Sequence, residues 1–271
     1  MKPTDDTPPI LRDKAPEQCS TFTPESLLRE ARRQKQAATS PVPRVCILDP
    51  DGDIVRRMRA DGRAERHRDW VCYHTELDVF TVDGLTVGAV GCAVGAPFAV
   101  LVAEELFVSG CELLISVTSA GQIAPVQPPP YFVLIDQALR DEGTSYHYRA
   151  AGAYSQAPPD LLARLSDAFT DFHVPVINGA TWTTDAPFRE TEAAIAANRE
   201  RGLLAVEMEA AGLYAFAAAR QRPVICFAHV SNQMGQMEGS DFEKGEGDGV
   251  NDALAVIRRA AACLLADYRA D

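Results

Sequence analysis

The sequence predicts an α/β protein, because from Arg44 onward short β-rich runs alternate with stretches of helical periodicity, the pattern of strands packed beneath helices. Two observations bound that prediction. The chain has 271 residues, 46% of them hydrophobic and 24% charged, the balance of a globular protein long enough to bury one large core. Turn signals fall between the apolar runs, so each run reads as one element.

Residues 1–40 are read as an N-terminal arm and residues 41–271 as one domain. The first 22 positions hold Pro, Asp and Thr without periodicity and read as flexible. Thr23-Pro24-Glu25 combines a hydroxyl cap, a proline for the first helical position and an acid for the first turn. A short basic helix through Leu27, Leu28, Arg32 and Arg33 should end near Gln36, and Pro41 and Pro43 separate it from the main domain.

Val45 to Leu48 reads as a buried strand, leading to the turn Asp49 to Asp53 and a helix carrying Val55 and Met58. Leu77 to Val82 and Leu85 to Gly91 flank Asp83-Gly84, a hairpin signal. Gly95 to Val108 has helical spacing and Leu113 to Val117 is a strand. Tyr131 to Leu134 is a strand leading into a helix-like turn. Leu161 to Phe172 is a helix before the strand Val174 to Ile177. Leu204 to Val206 leads into a helix from Glu207 to Arg220, then the strand Val224 to Val230 and a closing helix from Val250 to Tyr268. The acidic, glycine-rich stretch Glu238 to Gly249 is expected to be a mobile loop.

Composition excludes several functions. A formal net charge of -12 argues against nucleic acid or an anionic membrane as partner, since both need a basic field. The seven cysteines are scattered, lack CxxC spacing and read as reduced core thiols. No run of about 18 apolar residues exists and the N-terminus is polar, so a cytoplasmic protein is expected.

In open α/β sheets, ligands bind beyond the carboxyl ends of strands, and three such places carry unusual residues. At Glu207-Met208-Glu209 a strand meets a helix with two acids one residue apart. Acids in a first turn are favoured by the helix dipole, so capping explains them equally well; a sugar grip by the carboxylates, with the thioether against its face, is the alternative. Ser116 to Gln122 is a small-residue loop whose amides could approach an anion or a sugar oxygen, although an ordinary turn has the same composition. Asn232 in Val230-Ser231-Asn232 could read a base edge, or be an exposed turn residue.

The run Ala205 to Tyr214 (AVEMEAAGLY), the block Gly95 to Gln122, Asp141 to Tyr148 (DEGTSYHY), Ala180 to Thr191 (ATWTTDAPFRET) and Val230 to Asn232 occur in the order and spacing of the nucleoside phosphorylase and nucleosidase superfamily, which residues 42–268 resemble. Its uridine phosphorylase-like branch is nearest. The resemblance implies a mixed, twisted central sheet flanked by helices and an enzyme of nucleotide salvage that transfers a pentosyl group from a nucleoside. It implies a homo-oligomer with active sites shared between subunits, and no metal or organic cofactor, with phosphate as a possible co-substrate. Glu209 takes the place of the glutamate that holds the ribose 2′ and 3′ hydroxyls, with Met208 against the ribose and Glu207 near the 2′ oxygen. Such contacts stabilise the oxocarbenium-like sugar as the base leaves. Asn232 takes the leaving-group position, Phe188 the aromatic place over the base, Ser119 and Gly121 line the acceptor site, and His74 falls where a residue reaches a neighbour's site.

The acceptor site departs from the family. Phosphorolytic members build it from a glycine-aspartate-proline turn, an arginine after it and a second arginine before the small-residue loop. Here the turn holds Asp51 and Gly52 among further aspartates, Arg56 and Arg57 come late, and Ser116 stands where the second arginine would be, which is not a conservative exchange. Hydrolytic members carry an acid on the first loop and Ser-Ala-Gly in the second, as this chain does at Ser119 to Gly121. Phosphorolysis is placed slightly ahead of hydrolysis on overall pattern, with a nucleoside-binding protein that has lost catalysis as the third reading. The element that reads uracil is missing, Arg189-Glu190-Thr191 standing in its place, so the base stays open.

Overall fold

The computed structural model describes residues 7–233 and 249–265. Its strands are β1 (Val45–Asp49), β2 (Glu65–Arg66), β3 (Asp78–Val82), β4 (Leu85–Gly91), β5 (Leu113–Gln122), β6 (Tyr131–Asp141), β7 (Tyr154–Gln156), β8 (Val176–Thr184), β9 (Ala205–Glu207) and β10 (Val224–Gln233). Its helices are α1 (Pro24–Lys35), α2 (Asp53–Ala60), α3 (Ala96–Val108), α4 (Ser145–Tyr148), α5 (Pro159–Leu165), α6 (Glu192–Glu200), α7 (Ala210–Arg220) and α8 (Val250–Leu264).

One mixed sheet joins all the strands, as the resemblance implied. β5 is its hub. On one edge it pairs in parallel with β10; on the other, its first half pairs in parallel with β1 and its last two residues pair antiparallel with β9. β10 runs antiparallel to β6, β6 parallel to β8 and β8 parallel to β9, so five strands close into a ring. Beyond β1 the sheet opens out through β4, β3 and β2.

Closure brings the carboxyl ends of β5, β8, β9 and β10 to one rim. The packing of α7 on α3 fixes a further part of that rim. A Cβ at Gly212 would lie 2.7 Å from the Cβ of Ala96, so glycine lets the two helices touch and carries the start of α3 to the start of α7. The helix α1 is held to the domain: Thr23 Oγ1 accepts from Ser26 N at 3.3 Å, Leu28 and Ala31 are fully buried, and Lys35 Nζ donates to the carbonyls of Val71 and Cys72.

Several elements differ from the sequence reading. Ser116 to Gln122 is not a loop but the second half of β5. β6 runs for 11 residues through the polar pair Asp136-Gln137, where a bulge shifts its register against β8, in place of a helix-like turn after Leu134. β8 begins at Val176 and continues through the threonines to Thr184, and α5 ends at Leu165. Strands buried on both faces lose the alternation that marks half-exposed ones, which hid these lengths. The helix expected from Glu207 begins at Ala210. β7 and α6 had no counterpart in the reading. Glu238 to Asp248 and the end of the closing helix beyond Leu265 lie outside the described residues. All seven cysteines are free thiols, but Cys19 and Cys92 are exposed, not core.

Candidate active site

Glu207 is the last residue of β9, and its carboxylate is saturated. Oε2 accepts from the amides of Glu209 and Ala210, both at 2.7 Å, and Oε1 accepts from the hydroxyls of Thr181 at 3.1 Å and Thr183 at 2.5 Å. Thr183 in turn accepts from Ala211 N at 3.0 Å. The open first-turn amides of α7 are thus satisfied by an acid that precedes the helix.

Glu209 has few partners. Its side chain is 1% exposed; Oε1 accepts from Gly95 N at 2.7 Å, and Oε2 has no hydrogen-bond partner among the described residues. Burial first, and the neighbouring Glu207 charge second, push its carboxyl up to about 8, against the smaller opposing pull of the Gly95 amide and the Thr118 hydroxyl. Burial also raises Glu207, but four donors favour its ionised form, so Glu209 is the one of the pair that holds the proton. An unpartnered buried carboxyl oxygen is costly in a folded protein unless something donates to it. Met208, between the two acids, is half-buried.

The turn after β1 repeats the arrangement. Asp49 is 2% exposed and accepts from Gly52 N at 3.1 Å and Val55 N at 2.9 Å, capping α2; burial, its largest influence, raises its carboxyl to about 6. Asp51 reaches across to β5, where Oδ2 accepts from Ser119 N and Oδ1 from Ser119 Oγ, both at 2.7 Å. Asp51 also acts electrostatically on Glu209, so the acid pair, the acidic turn and Ser119 form one constellation.

Gly52, at φ 73°, is the N-cap of α2. Arg56 is exposed and pairs with Asp53 of its own helix. Ser116 is 1% exposed, in register with Leu48 and Cys226, and its Oγ has no partner among the described residues. Alternation along β5 puts its side chain on the opposite side of the strand from Ser119. Gly121 pairs with Val206 of β9 and with Asn232 of β10, beyond a bulge at Ser231. The Asn232 side chain lies outside the described residues. Phe188 is 99% exposed in a short 3-10 turn, and His74 is exposed on the segment before β3; no contact ties either to the acids.

Sequence reasoning passed over Asp49, Gly95, Thr181, Thr183 and His229. The hydroxyl ladder of β8 was legible only as a threonine-rich run, and Gly95 as a helix start. His229 could have been noticed as a polar residue inside the apolar run Val224 to Val230. Among the described residues no group of three or more His, Cys, Asp or Glu is arranged to hold a metal ion, and no helix is long and apolar enough to cross a membrane.

Against known proteins, the chain is 26% identical over 237 residues to a guanosine phosphorylase of Halorubrum lacusprofundi, an alignment covering 80% of this chain and 98% of that protein. The crystal structure of Campylobacter jejuni 5'-methylthioadenosine/S-adenosyl homocysteine nucleosidase, 15% identical, superposes with a TM-score of 0.64 over 82% of this chain and 98% of that one, a likeness of fold. The family pattern described as the phosphorylase superfamily matches residues 45–265, which takes in both acid turns and every strand from β1 to β10, and the chain belongs to that superfamily.

Proposed function

We propose that the protein cleaves the N-glycosidic bond of a ribonucleoside, with Glu209 and Met208 on the ribose, Phe188 and Asn232 toward the base, and water as the acceptor at Asp51 and Ser119. One observation carries the reading: Glu209 Oε2 is buried, unpartnered and next to the Asp51–Ser119 contact. Ribose hydroxyls would supply the missing donors. Hydrogen bonds to that carboxyl would strengthen as the sugar gains positive charge and the base departs with the electron pair of the broken C1′–N bond.

Water is favoured because the Ser119 amide and hydroxyl, the donors an anionic acceptor would use, already hold the Asp51 carboxylate. Phosphate would have to displace or lie against that negative charge, and Arg56 is paired with Asp53. In this reading Asp51 takes the proton of the attacking water as general base. Phosphorolysis is the second reading, favoured by the relative named a guanosine phosphorylase. Phe188 and His74, both exposed in the single chain, would be covered by a second copy.

The test is a panel of nucleosides, guanosine first, with and without phosphate, together with product analysis. Free base and free ribose without phosphate are expected. Ribose 1-phosphate, formed only when phosphate is added, would replace the first reading by the second. Binding without base release would overturn both.

A further inference from the structure

His229 lies on β10, and the parallel ladder pairs it with Ser119 of β5. Its ring is fixed: it stacks on Phe132 of β6 at a centroid distance of 4.6 Å and 19° between planes. On another side it meets Gly249, the residue before α8, where an added Cβ would come 2.2 Å from the imidazole Cε1. A Cβ cannot be accommodated there without moving the ring.

A cavity of about 40 Å³ is lined by His229 together with Asp49, Asp51, Thr118, Ser119 and Ser231, and a space of that order holds a water when polar groups surround it. The charged groups on its wall are Asp49 from the end of β1, Asp51 from the turn and Asp53 from the first turn of α2, while α8 contributes Val250 and Ala253. Asp252 of α8 is engaged with His173 at 2.9 Å. The wall is therefore acidic on one side and carries an imidazole on the other.

We propose that His229 is a positioning residue of the acceptor site, holding the attacking oxygen against Asp51 and Ser119. The inference rests on the glycosidic-cleavage reading. When water attacks, its oxygen bonds to C1′ as the C1′–N bond breaks, the electron pair leaves with the base, and the water proton passes to Asp51. His229 forms no covalent bond; its ring fixes where the oxygen sits, the kind of placement that governs rate more than substrate affinity.

The test is His229→Gln in the full chain. A fall in kcat of about 10²-fold is expected, with the KM for the nucleoside changed less than about threefold and the pH dependence of kcat altered. A lower melting temperature with unchanged kcat per folded molecule and an unchanged pH profile would mean a structural role only and would overturn the proposal. An independent measurement is the NMR titration of the His229 imidazole in the unsubstituted protein and in Asp51→Asn. Loss of a facing carboxylate should lower the midpoint by roughly one unit; equal midpoints would also overturn it. If no nucleoside is cleaved but the midpoint moves, the functional reading falls while the pairing of His229 with Asp51 stands.

Discussion

The turns after β1 and after β9 are built alike: each offers two acids, of which one caps the next helix and the other reaches across the ring. Asp49 and Glu207 sit at the ends of their strands and accept backbone amides of α2 and α7. Asp51 and Glu209, two residues further on, reach Ser119 of β5 and Gly95 before α3. The turns differ in how complete they are. Both carboxylate oxygens of Asp51 have partners, whereas Glu209 keeps one oxygen buried and unpartnered. The lesson is that a pair of acids at a helix start divides into a residue for the fold and a residue for a ligand, and the division is read from unmet hydrogen bonds, not from spacing.

The largest expected effect tests the fold half of that division. Glu207→Ala leaves two first-turn amides of α7 and two buried threonine hydroxyls without their acceptor, and should cost about 3–5 kcal/mol, measured by denaturant unfolding. A loss under about 1 kcal/mol would mean that Glu207 is not what holds this turn. Glu209→Ala tests the other half: base release should fall by about 10²–10³-fold while the folded structure survives, since only the bond to Gly95 N is lost. Full activity in that variant would dissolve the distinction. Asp51→Asn should reduce base release by about 10²-fold if Asp51 receives the water proton; a variant that instead gains phosphate-dependent cleavage would point to the phosphorolytic reading.

The same contrast explains how much of the site is legible in the sequence. The AVEMEAA run and the Ser-Ala-Gly run stand out as motifs, and the α/β class comes from alternation. Which glutamate does what cannot be read there, because Thr181, Thr183 and Gly95 lie 26, 24 and 114 positions away from the acids they serve. Only ring closure brings them together. Buried strands such as β6 and β8 lack the period-two signal, so the strand that supplies the threonine hydroxyls reads as two shorter things. The Asp51–Ser119 contact is invisible for a different reason: the turn is legible as acidic, but nothing local says that an aspartate will occupy the amide of a residue 68 positions on.

The acids also set a pH dependence. Glu209 is raised from its ordinary 4.5 to about 8 in the folded chain, because burial disfavours its charge. Between those values the folded protein binds more protons than the unfolded one, so stability from this group is full below about 4.5 and is lost as pH rises through 8. Asp49, raised from 3.8 to about 6, adds a smaller loss at lower pH. Melting temperature should decline between pH 5 and pH 8, and Glu209→Gln should flatten the upper part of that decline. An unchanged slope would mean that Glu209 is ionised across the range, and with it the contrast to Asp51 would go.

The smallest stability effect is expected at Phe188, and it separates two explanations of an exposed aromatic. At 99% exposure it contributes little to the packing of the single chain, so Phe188→Ala should change unfolding free energy by less than about 0.5 kcal/mol. If the ring stacks on a base once a second copy covers it, the same substitution should raise the nucleoside KM by roughly 10-fold, because a stacked aromatic contact is worth about 0.5–1.5 kcal/mol beyond the area it buries. Kinetics and thermal melting on one preparation tell these apart. Unchanged KM with unchanged stability would remove Phe188 from the site and leave base recognition to the rim of β8 and β10.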